Sequence, residues 1–143
     1  MIRAFLSHSS KDKNTYARIV AEKLGSDYCV YDEYTFESGM RTIDEIIKGL
    51  NDSQLFVVLL SHQALESDWV KKELLLAHEK LTSHEIERIY PIIIDPSLTH
   101  LDKRIPQWMR DEYNLKYVSR PVVAARRVKQ RLREISWLIH PRK

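Results

Sequence analysis

The 143-residue sequence predicts an α/β fold, a doubly wound parallel sheet of five strands with helices on both faces. Strand-like and helix-like patterns alternate along the chain, which is typical of parallel strands joined by right-handed helical crossovers. Residues 54–61 contain an uninterrupted apolar run, as expected for a strand that is covered on both faces. For about five strands the common order is 2-1-3-4-5, with a switch point between strands 1 and 3.

The strands are predicted from short apolar runs bounded by polar or turn-forming residues. They cover residues 2–7, 28–31, 54–61, 89–95 and 113–119. A polar loop over residues 32–40 follows the second strand, and residues 99–111 are expected to be irregular or short-helical.

The helices are predicted from apolar residues at helical spacing together with start and stop signals. The first covers residues 11–24 and ends at Gly25. The second begins at Thr42, which has a glutamate three residues later, as in a capping box. The third begins at Asp68, and the last covers about residues 121–139. The last helix has an apolar stripe formed by Val128, Leu132, Ile135 and Ile139.

The composition indicates a single cytoplasmic domain over residues 1–143. Hydrophobic residues make up 43% and charged residues 30%, which is ordinary for a globular protein. The one cysteine, Cys29, excludes an internal disulfide. The apolar runs are too short to span a bilayer, and the N-terminus lacks the pattern of a signal peptide, so no membrane association is expected.

The net charge of +3 is unevenly distributed. Residues 120–143 carry a local charge of +7, and the rest of the chain carries −4. Because the last helix also has an apolar stripe, its basic residues are interpreted as a solvated face, and no nucleic-acid binding is expected. This basic helix would suit a junction to a further module in a longer protein.

Trp69 and Glu73 are four residues apart at the start of a predicted helix, so their side chains project from one face. They lie one residue out of phase with the apolar face of that helix, which predicts Glu73 at the border of the core. A carboxylate beside a large aromatic ring can bind a sugar next to a flat cationic base. The alternative is a partly packed tryptophan beside a solvated glutamate. The apolar face consists of Val70, Leu74, Ala77 and Leu81.

The predicted topology brings the candidate residues together. In doubly wound sheets, ligands bind outside the carboxyl ends of the strands at the switch point. Strand 1 ends at Ser7 and His8, strand 3 leads to Trp69 and Glu73, and the loop over residues 32–40 flanks both. A ligand site is therefore predicted at this edge.

Other chemistries lack the residues they need. A phosphate-accepting receiver domain requires acidic residues where strands 1 and 3 end in Ser7-His8 and Ser61-His62. No glycine-rich phosphate loop, nucleophile elbow or metal-ligand spacing is present, and no hydrolytic triad is supported.

Five motifs in order resemble a Toll/interleukin-1 receptor (TIR) domain of the bacterial type, and the resemblance covers nearly the whole chain. The family has a flavodoxin-like fold, and residues 32–40 match its mobile "BB" loop. The motifs are Phe5-Leu6-Ser7-His8-Ser9-Ser10-Lys11-Asp12-Lys13, Tyr31-Asp32-Glu33 with Gly39, Val57-Val58-Leu59-Leu60-Ser61, Trp69-x-x-x-Glu73 and Tyr90-Pro91-Ile92-Ile93-Ile94-Asp95.

The resemblance implies one of two functions. Many TIR domains cleave NAD+ at the nicotinamide–ribose bond, giving ADP-ribose or a cyclic isomer, whereas others are non-catalytic adaptors that act through TIR–TIR contacts. Catalytic members carry a glutamate in the helix after strand 3, where this chain has Glu73, with Trp69 in the same W-x-x-x-E context. This favours an NAD+ nucleosidase in bacterial immune (anti-phage) signalling or effector action, with NAD+ as substrate and no metal or prosthetic group. One departure is Ile92-Ile93-Ile94, where similar enzymes often have an aromatic residue or histidine.

The resemblance also implies roles for individual residues. Glu73 would stabilise the oxocarbenium ion that forms on the ribose, and Trp69 would stack beside the nicotinamide or ribose. Donors to nucleotide oxygens would come from the loop after strand 1, and two residues of the 32–40 loop would close the pocket, in one subunit or from a self-associated neighbour. These residues are Ser7, His8 and Lys11 after strand 1, and Phe36 and Gly39 in the loop.

Overall fold

The computed structural model describes residues 2–31 and 42–140, except the side chain of Thr42. Within these residues the protein forms a parallel sheet in the order β2-β1-β3-β4, with helices on both faces. The predicted fold class and strand order are confirmed. The strands are β1 (Ala4–Ser7), β2 (Cys29–Val30), β3 (Leu55–Leu60) and β4 (Arg88–Ile93).

The segment predicted as a fifth strand makes only one parallel bridge, between Tyr117 and Ile93. The Ile93 N–H donates to the Lys116 carbonyl at 3.1 Å, and the Val118 N–H donates to the Ile93 carbonyl at 2.9 Å. The two buried apolar residues here, Leu115 and Val118, are three positions apart and so depart from the two-residue alternation of a strand. The described sheet therefore has four strands rather than five.

The helices start and stop close to their predicted positions. Gly25 ends α1 (Arg18–Leu24) with a positive φ of 83°, and Pro121 occupies the first turn of α6 (Pro121–Ile139), where a missing N–H costs no hydrogen bond. The predicted helix over residues 11–24 is in fact three consecutive helical pieces. They are a 3-10 turn (Ser10–Asp12), a π turn (Lys13–Ala17) and α1 (Arg18–Leu24), and the other helices are α2 (Thr42–Asn51), α3 (His62–Glu66), α4 (Asp68–Thr82), α5 (Gln107–Glu112) and α6 (Pro121–Ile139).

Alternation along β1 divides the core into two layers, one on each face of the sheet. Ala4 and Leu6 pack with α1 and α6 on what we call the α1/α6 face. Phe5 packs with α2 and α4 on the opposite α2/α4 face. Gly49 of α2 lies so close to Phe5 that an added Cβ would be 2.7 Å from the ring, so glycine allows this helix to approach the sheet.

The two predicted apolar stripes differ in outcome. On α4, Val70, Leu74 and Ala77 are buried and Leu81 is partly buried, as predicted. On α6 the first three stripe residues are buried, but Ile139 is 39% exposed, so that part of the prediction is wrong. The reason is that the last turn of α6 has no core to pack against within the described residues.

Candidate active site

The register of β1 places Ser7 at the carboxyl edge of the sheet, on the α2/α4 face. Ser7 is the last residue of the strand and pairs with Val58 of β3. Because side chains alternate along a strand, Ser7 projects to the same face as Phe5, which α4 covers. The side chain of Ser7 is fully buried.

Glu73 of α4 lies directly against Ser7. The Ser7 hydroxyl donates a hydrogen bond to Glu73 Oε1 at 2.8 Å, and the contact is buried. Glu73 is only 3% exposed, so it is buried more deeply than its helical phase predicted. Helical periodicity predicts burial of a side chain only where it meets an apolar surface. At this point of the sheet a small polar side chain, Ser7, gives the buried carboxylate a hydrogen-bond partner.

The start of α4 fixes where Trp69 and Glu73 lie. The Ser67 hydroxyl caps the helix by accepting a hydrogen bond from the Val70 N–H at 3.2 Å. Asp68 in the first turn is favourable at the positive end of the helix dipole. Trp69 is partly buried and packs against the core of the α2/α4 face, so its ring stands near the carboxylate.

Trp69 and Glu73 line one cavity with residues from the carboxyl ends of β1 and β2. The cavity has a volume of about 350 Å³, within the usual range for small-molecule sites. The predicted site residues His8, Trp69 and Glu73 are therefore brought together, whereas the described lining does not include Ser7. The lining residues are Phe5, Leu6, His8, Ser10, Val30, Ser67, Trp69 and Glu73.

The orientation of His8 is set by two contacts. Its Nδ1 donates to the Leu6 carbonyl at 3.2 Å, because a carbonyl oxygen can only accept. Its ring also lies 5.3 Å from the ring of Tyr31, which has the Lys13 ammonium 5.7 Å from its centroid. These contacts fix the position of the His8 ring in the cavity lining.

Lys11 lines a second cavity, formed by polar and charged residues, rather than the first. This cavity has a volume of about 420 Å³ and includes residues from the β1 loop and from α3. Ser10 and Ser67 line both cavities, so the two are adjacent. Phe36 and Gly39, the remaining predicted site residues, lie outside the described residues.

A second buried serine–carboxylate pair, which was not predicted from the sequence, joins the segment after β3 to the segment after β1. The Ser61 hydroxyl donates to Asp12 Oδ2 at 2.5 Å and accepts from the Ala64 N–H at 3.0 Å, which caps α3. Asp12 is only 7% exposed. The sequence shows a serine at the end of each central strand, Ser7 and Ser61. Only the fold shows which carboxylate each serine hydrogen-bonds to.

Exposed charges around Arg104 border the second cavity. The guanidinium donates to Glu66 at 2.7 Å, to Asp102 at 2.9 Å and to Nδ1 of His62 at 2.7 Å. Hydrogen bonds from Arg104 lower the pKa of the Asp102 carboxyl to about 2. Since Nδ1 of His62 accepts here, Nε2 carries the proton of the neutral ring and donates to Ser97 at 2.9 Å.

Two kinds of feature are missing from the part of the chain that the structure describes. No group of three or more His, Cys, Asp or Glu side chains is arranged to hold a metal ion. None of the helices traced over residues 2–31 and 42–140 combines the length and the apolar character needed to cross a membrane.

The fold and the site together define a class of α/β protein with a small-molecule cavity at the switch point and a buried carboxylate on its lining. The chain belongs to the TIR domain family, whose pattern it matches over residues 4–120. The resemblance found in the sequence is therefore confirmed.

Similar proteins include an NAD(+) hydrolase and a cyclic ADP-D-ribose synthase. The chain is 37% identical over 93 residues to the 2' cyclic ADP-D-ribose synthase AbTIR of Acinetobacter baumannii, covering 62% of this chain and 33% of that protein. It is 35% identical over 85 residues to the NAD(+) hydrolase TcpA of Theionarchaea archaeon, covering 58% and 25%. The matched region thus spans a quarter to a third of these relatives.

Solved structures with low identity share the fold. The TIR domain of the Toll-related receptor TRR-2 from Hydra magnipapillata superposes with a TM-score of 0.70 at 14% identity, covering 93% of this chain and 99% of that one. The TIR domains of the activated Roq1 resistosome superpose with a TM-score of 0.61 at 21% identity, covering 94% and 80%.

Proposed function

We propose that this TIR domain is an NAD+ nucleosidase that cleaves the nicotinamide–ribose bond and releases nicotinamide together with ADP-ribose or a cyclic isomer. The observation that carries the proposal is Glu73, a buried carboxylate hydrogen-bonded to Ser7 on the lining of a 350 Å³ cavity beside Trp69. The names of the curated relatives support the same substrate.

The chemistry of NAD+ cleavage suits a lone carboxylate. Nicotinamide leaves a cationic pyridinium as a neutral molecule, so the departing group needs little help from an acid. Positive charge develops on the ribose as an oxocarbenium ion. The Glu73 carboxylate would stabilise that charge more in the transition state than in the ground state, as carboxylates do in glycosidases. Burial strengthens this interaction because the local dielectric is low.

The other lining residues fit roles in binding. Trp69 would stack beside the nicotinamide or the ribose, and His8 would contact the substrate in the same cavity. A volume of 350 Å³ suits the nicotinamide–ribose half of NAD+ rather than the whole dinucleotide. The adjacent polar cavity with Lys11 would then receive phosphate oxygens of the other half.

We assign closure of the site to the 32–40 loop, through Phe36 and Gly39, with a neighbouring TIR domain ordering the loop. TIR–TIR assembly is supported by the similarity to the TIR domains of an activated resistosome. From the composition and the family resemblance we also propose that the domain acts in the cytoplasm, in immune signalling against phage or in effector action. Specific activity should rise with concentration across a hundredfold dilution series, and a flat profile would exclude assembly-dependent activity.

The function is tested by chromatography of products after concentrated protein is incubated with NAD+. The wild type should release nicotinamide, and Glu73→Gln should lower the rate by about three orders of magnitude while remaining folded. Glu45→Gln is the matched control, because Glu45 is 4% exposed and lies on the same face of the sheet, outside the cavity lining described. It should keep the rate within about twofold.

The alternative function is a non-catalytic adaptor that works through TIR–TIR contacts. If the concentrated wild type releases no nicotinamide, including under crowding, the enzyme proposal fails and the adaptor function replaces it. In that case Glu73→Gln would alter at most the affinity for a partner.

A further inference from the structure

We infer that Ser7 is a positioning residue, which holds the Glu73 carboxylate in its reactive orientation and does not itself touch the substrate. This inference rests on the proposed function. The sequence predicted the Ser7 hydroxyl as a donor to nucleotide oxygens. In the structure the single proton of that hydroxyl is used by Glu73 Oε1, at 2.8 Å.

The location of Ser7 supports a role behind the carboxylate. Its side chain is fully buried, and the described lining of the 350 Å³ cavity contains Glu73 but not Ser7. Glu73 therefore lies between the cavity and Ser7, which belongs to the sheet. A substrate held in the cavity would meet the carboxylate and not the hydroxyl.

The sheet makes Ser7 a rigid anchor. The residue pairs with Val58 in the central β1–β3 pair, and the strand that carries it is also paired with β2 at Ala4 and Phe5. Glu73 has three rotatable side-chain bonds, and it stands on a helix that is packed against the sheet rather than bonded to it. A hydroxyl fixed on the strand restrains one carboxylate oxygen, so less ordering remains to be done in the transition state.

The surrounding residues explain why a serine is well suited to restrain the Glu73 carboxylate. Ser7 follows three apolar strand residues, and its hydroxyl is a buried polar group that requires a partner. Alanine is smaller by only the hydroxyl oxygen, so Ser7→Ala removes the hydrogen bond with little change in packing. Such a change should disturb the orientation of Glu73, and it should also lower the stability of the fold, because the buried carboxylate loses a hydrogen-bond donor.

The test measures kcat and KM for NAD+ cleavage by Ser7→Ala. A positioning role predicts that kcat falls about ten- to a hundredfold while KM stays within about threefold, because misplacement of the reactive group affects the transition state more than binding. Ser7→Cys, which keeps a weak donor of similar shape, should recover part of kcat. Loss through KM with kcat unchanged would overturn the inference and support a direct nucleotide contact.

Ser53→Ala is the matched control. Ser53 is also buried, at 1% exposure, and its hydroxyl donates to the Gly49 carbonyl at 2.7 Å, at the opposite end of the sheet from the cavity. It should keep both kinetic constants within about twofold, even where its unfolding temperature falls as much as that of Ser7→Ala. Equal kinetic losses in the two variants would mean that a general loss of stability explains both.

A second measurement asks whether Ser7 acts through Glu73. The double variant Ser7→Ala/Glu73→Gln should be less than about twofold slower than Glu73→Gln alone, because residues that act as a unit have non-additive effects. A full additional loss would show that Ser7 acts independently. No nicotinamide from the wild type would overturn the proposed function and this inference together. Active wild type with unchanged Ser7→Ala would overturn the inference alone.

Discussion

The two faces of the sheet are built from the same strands and yet differ in polarity. On the α1/α6 face, the buried residues of α1 and α6 themselves are apolar. The Tyr16 hydroxyl, from the π turn before α1, donates to the Val118 carbonyl at 2.7 Å. The α2/α4 face buries two glutamates, Glu45 and Glu73, and the Ser7 hydroxyl in addition to its apolar core. Alternation along a strand thus allows one layer to provide stability and the other to carry the carboxylate that we propose as the reactive group.

Burial of a carboxylate costs free energy, and on the α2/α4 face Glu45 and Glu73 carry that cost. A charged group removed from water is tolerated only with hydrogen-bonding partners, such as Ser7 for Glu73. Such sites are commonly less stable than an apolar core would be at the same place. The comparison predicts that replacing the buried polar groups of the α2/α4 face costs activity rather than stability. Substitutions in the core of the α1/α6 face should instead cost stability rather than activity.

The largest expected effect comes from replacing the buried pair by apolar residues. In the double variant Ser7→Ala/Glu73→Leu we expect nicotinamide release to fall by at least about three orders of magnitude. The unfolding temperature should stay close to that of the wild type, because the Ser7 hydroxyl and the carboxylate that accepts its hydrogen bond are removed together. Product chromatography and thermal unfolding check the two halves of this prediction. A clear fall in unfolding temperature would show that the pair stabilises the fold.

The next largest effect is expected on the α1/α6 face. Ile135→Ala removes a fully buried side chain of α6 and should lower the free energy of unfolding by about 2–5 kcal/mol. The folded fraction should keep kcat/KM within about twofold, because this face is remote from the cavity. Urea unfolding gives the first quantity and steady-state kinetics the second.

Ile139→Ala provides the control for that change. It is the same substitution four residues further along α6, at a side chain that is 39% exposed. The free energy of unfolding should change by less than about 0.5 kcal/mol. Equal losses at the two positions would show that the last turn of α6 packs as part of the core.

A smaller effect is expected for the aromatic ring at the cavity. Trp69→Ala should lower kcat/KM about tenfold, mainly through KM, because stacking on a base contributes about 1–3 kcal/mol. Trp137→Ala is the control, since Trp137 is 53% exposed in the last turn of α6. An unchanged KM in Trp69→Ala would indicate that the ring packs against the core without contacting the substrate.

The smallest effect concerns alkaline pH and the α1/α6 face. Burial raises the pKa of the Cys29 thiol from 9.0 to about 12, so the folded protein keeps this proton where the unfolded chain loses it. The stability that depends on the thiol is fully present below pH 9 and is lost as pH rises towards 12. At pH 10 the loss should be about 1.4 kcal/mol relative to pH 7.

The comparison variant for this prediction is Cys29→Ala. It should be less stable than the wild type at pH 7, because it leaves a small cavity, but its stability should fall less steeply between pH 8 and 10.5. Urea unfolding at a series of pH values measures the slope. Parallel curves for the two proteins would indicate that the thiol does not control the alkaline loss.

Much of the site was predictable because it depends on local spacing. The four-residue separation of Trp69 and Glu73 fixes their common face on any helix. The apolar pattern of the strands fixes the layer architecture, and the switch-point rule then places the site at the ends of β1 and β3. The roles of Phe36 and Gly39, outside the described residues, remain predictions from the resemblance to the family.

The errors occurred where a contact depends on distant parts of the chain. Ile139 continues the apolar periodicity of α6, but only the end of the packed core decides that it is exposed. The segment around Tyr117 has strand-like composition, but its buried residues are spaced three apart, so it makes a single bridge. Periodicity records a preference for burial and does not show whether a surface is available to meet it.

The sequence alone determined the fold class, the order of the four described strands and the candidate carboxylate near the switch point, because these follow from patterns within single elements and from general rules of connection. Only the tertiary structure decided that the Ser7 hydroxyl bonds to Glu73 and the Ser61 hydroxyl to Asp12. The residues in these pairs are 66 and 49 positions apart, and their hydrogen bonds need placement to within a few tenths of an ångström. Such placement depends on how each helix packs on the sheet, which no local pattern specifies.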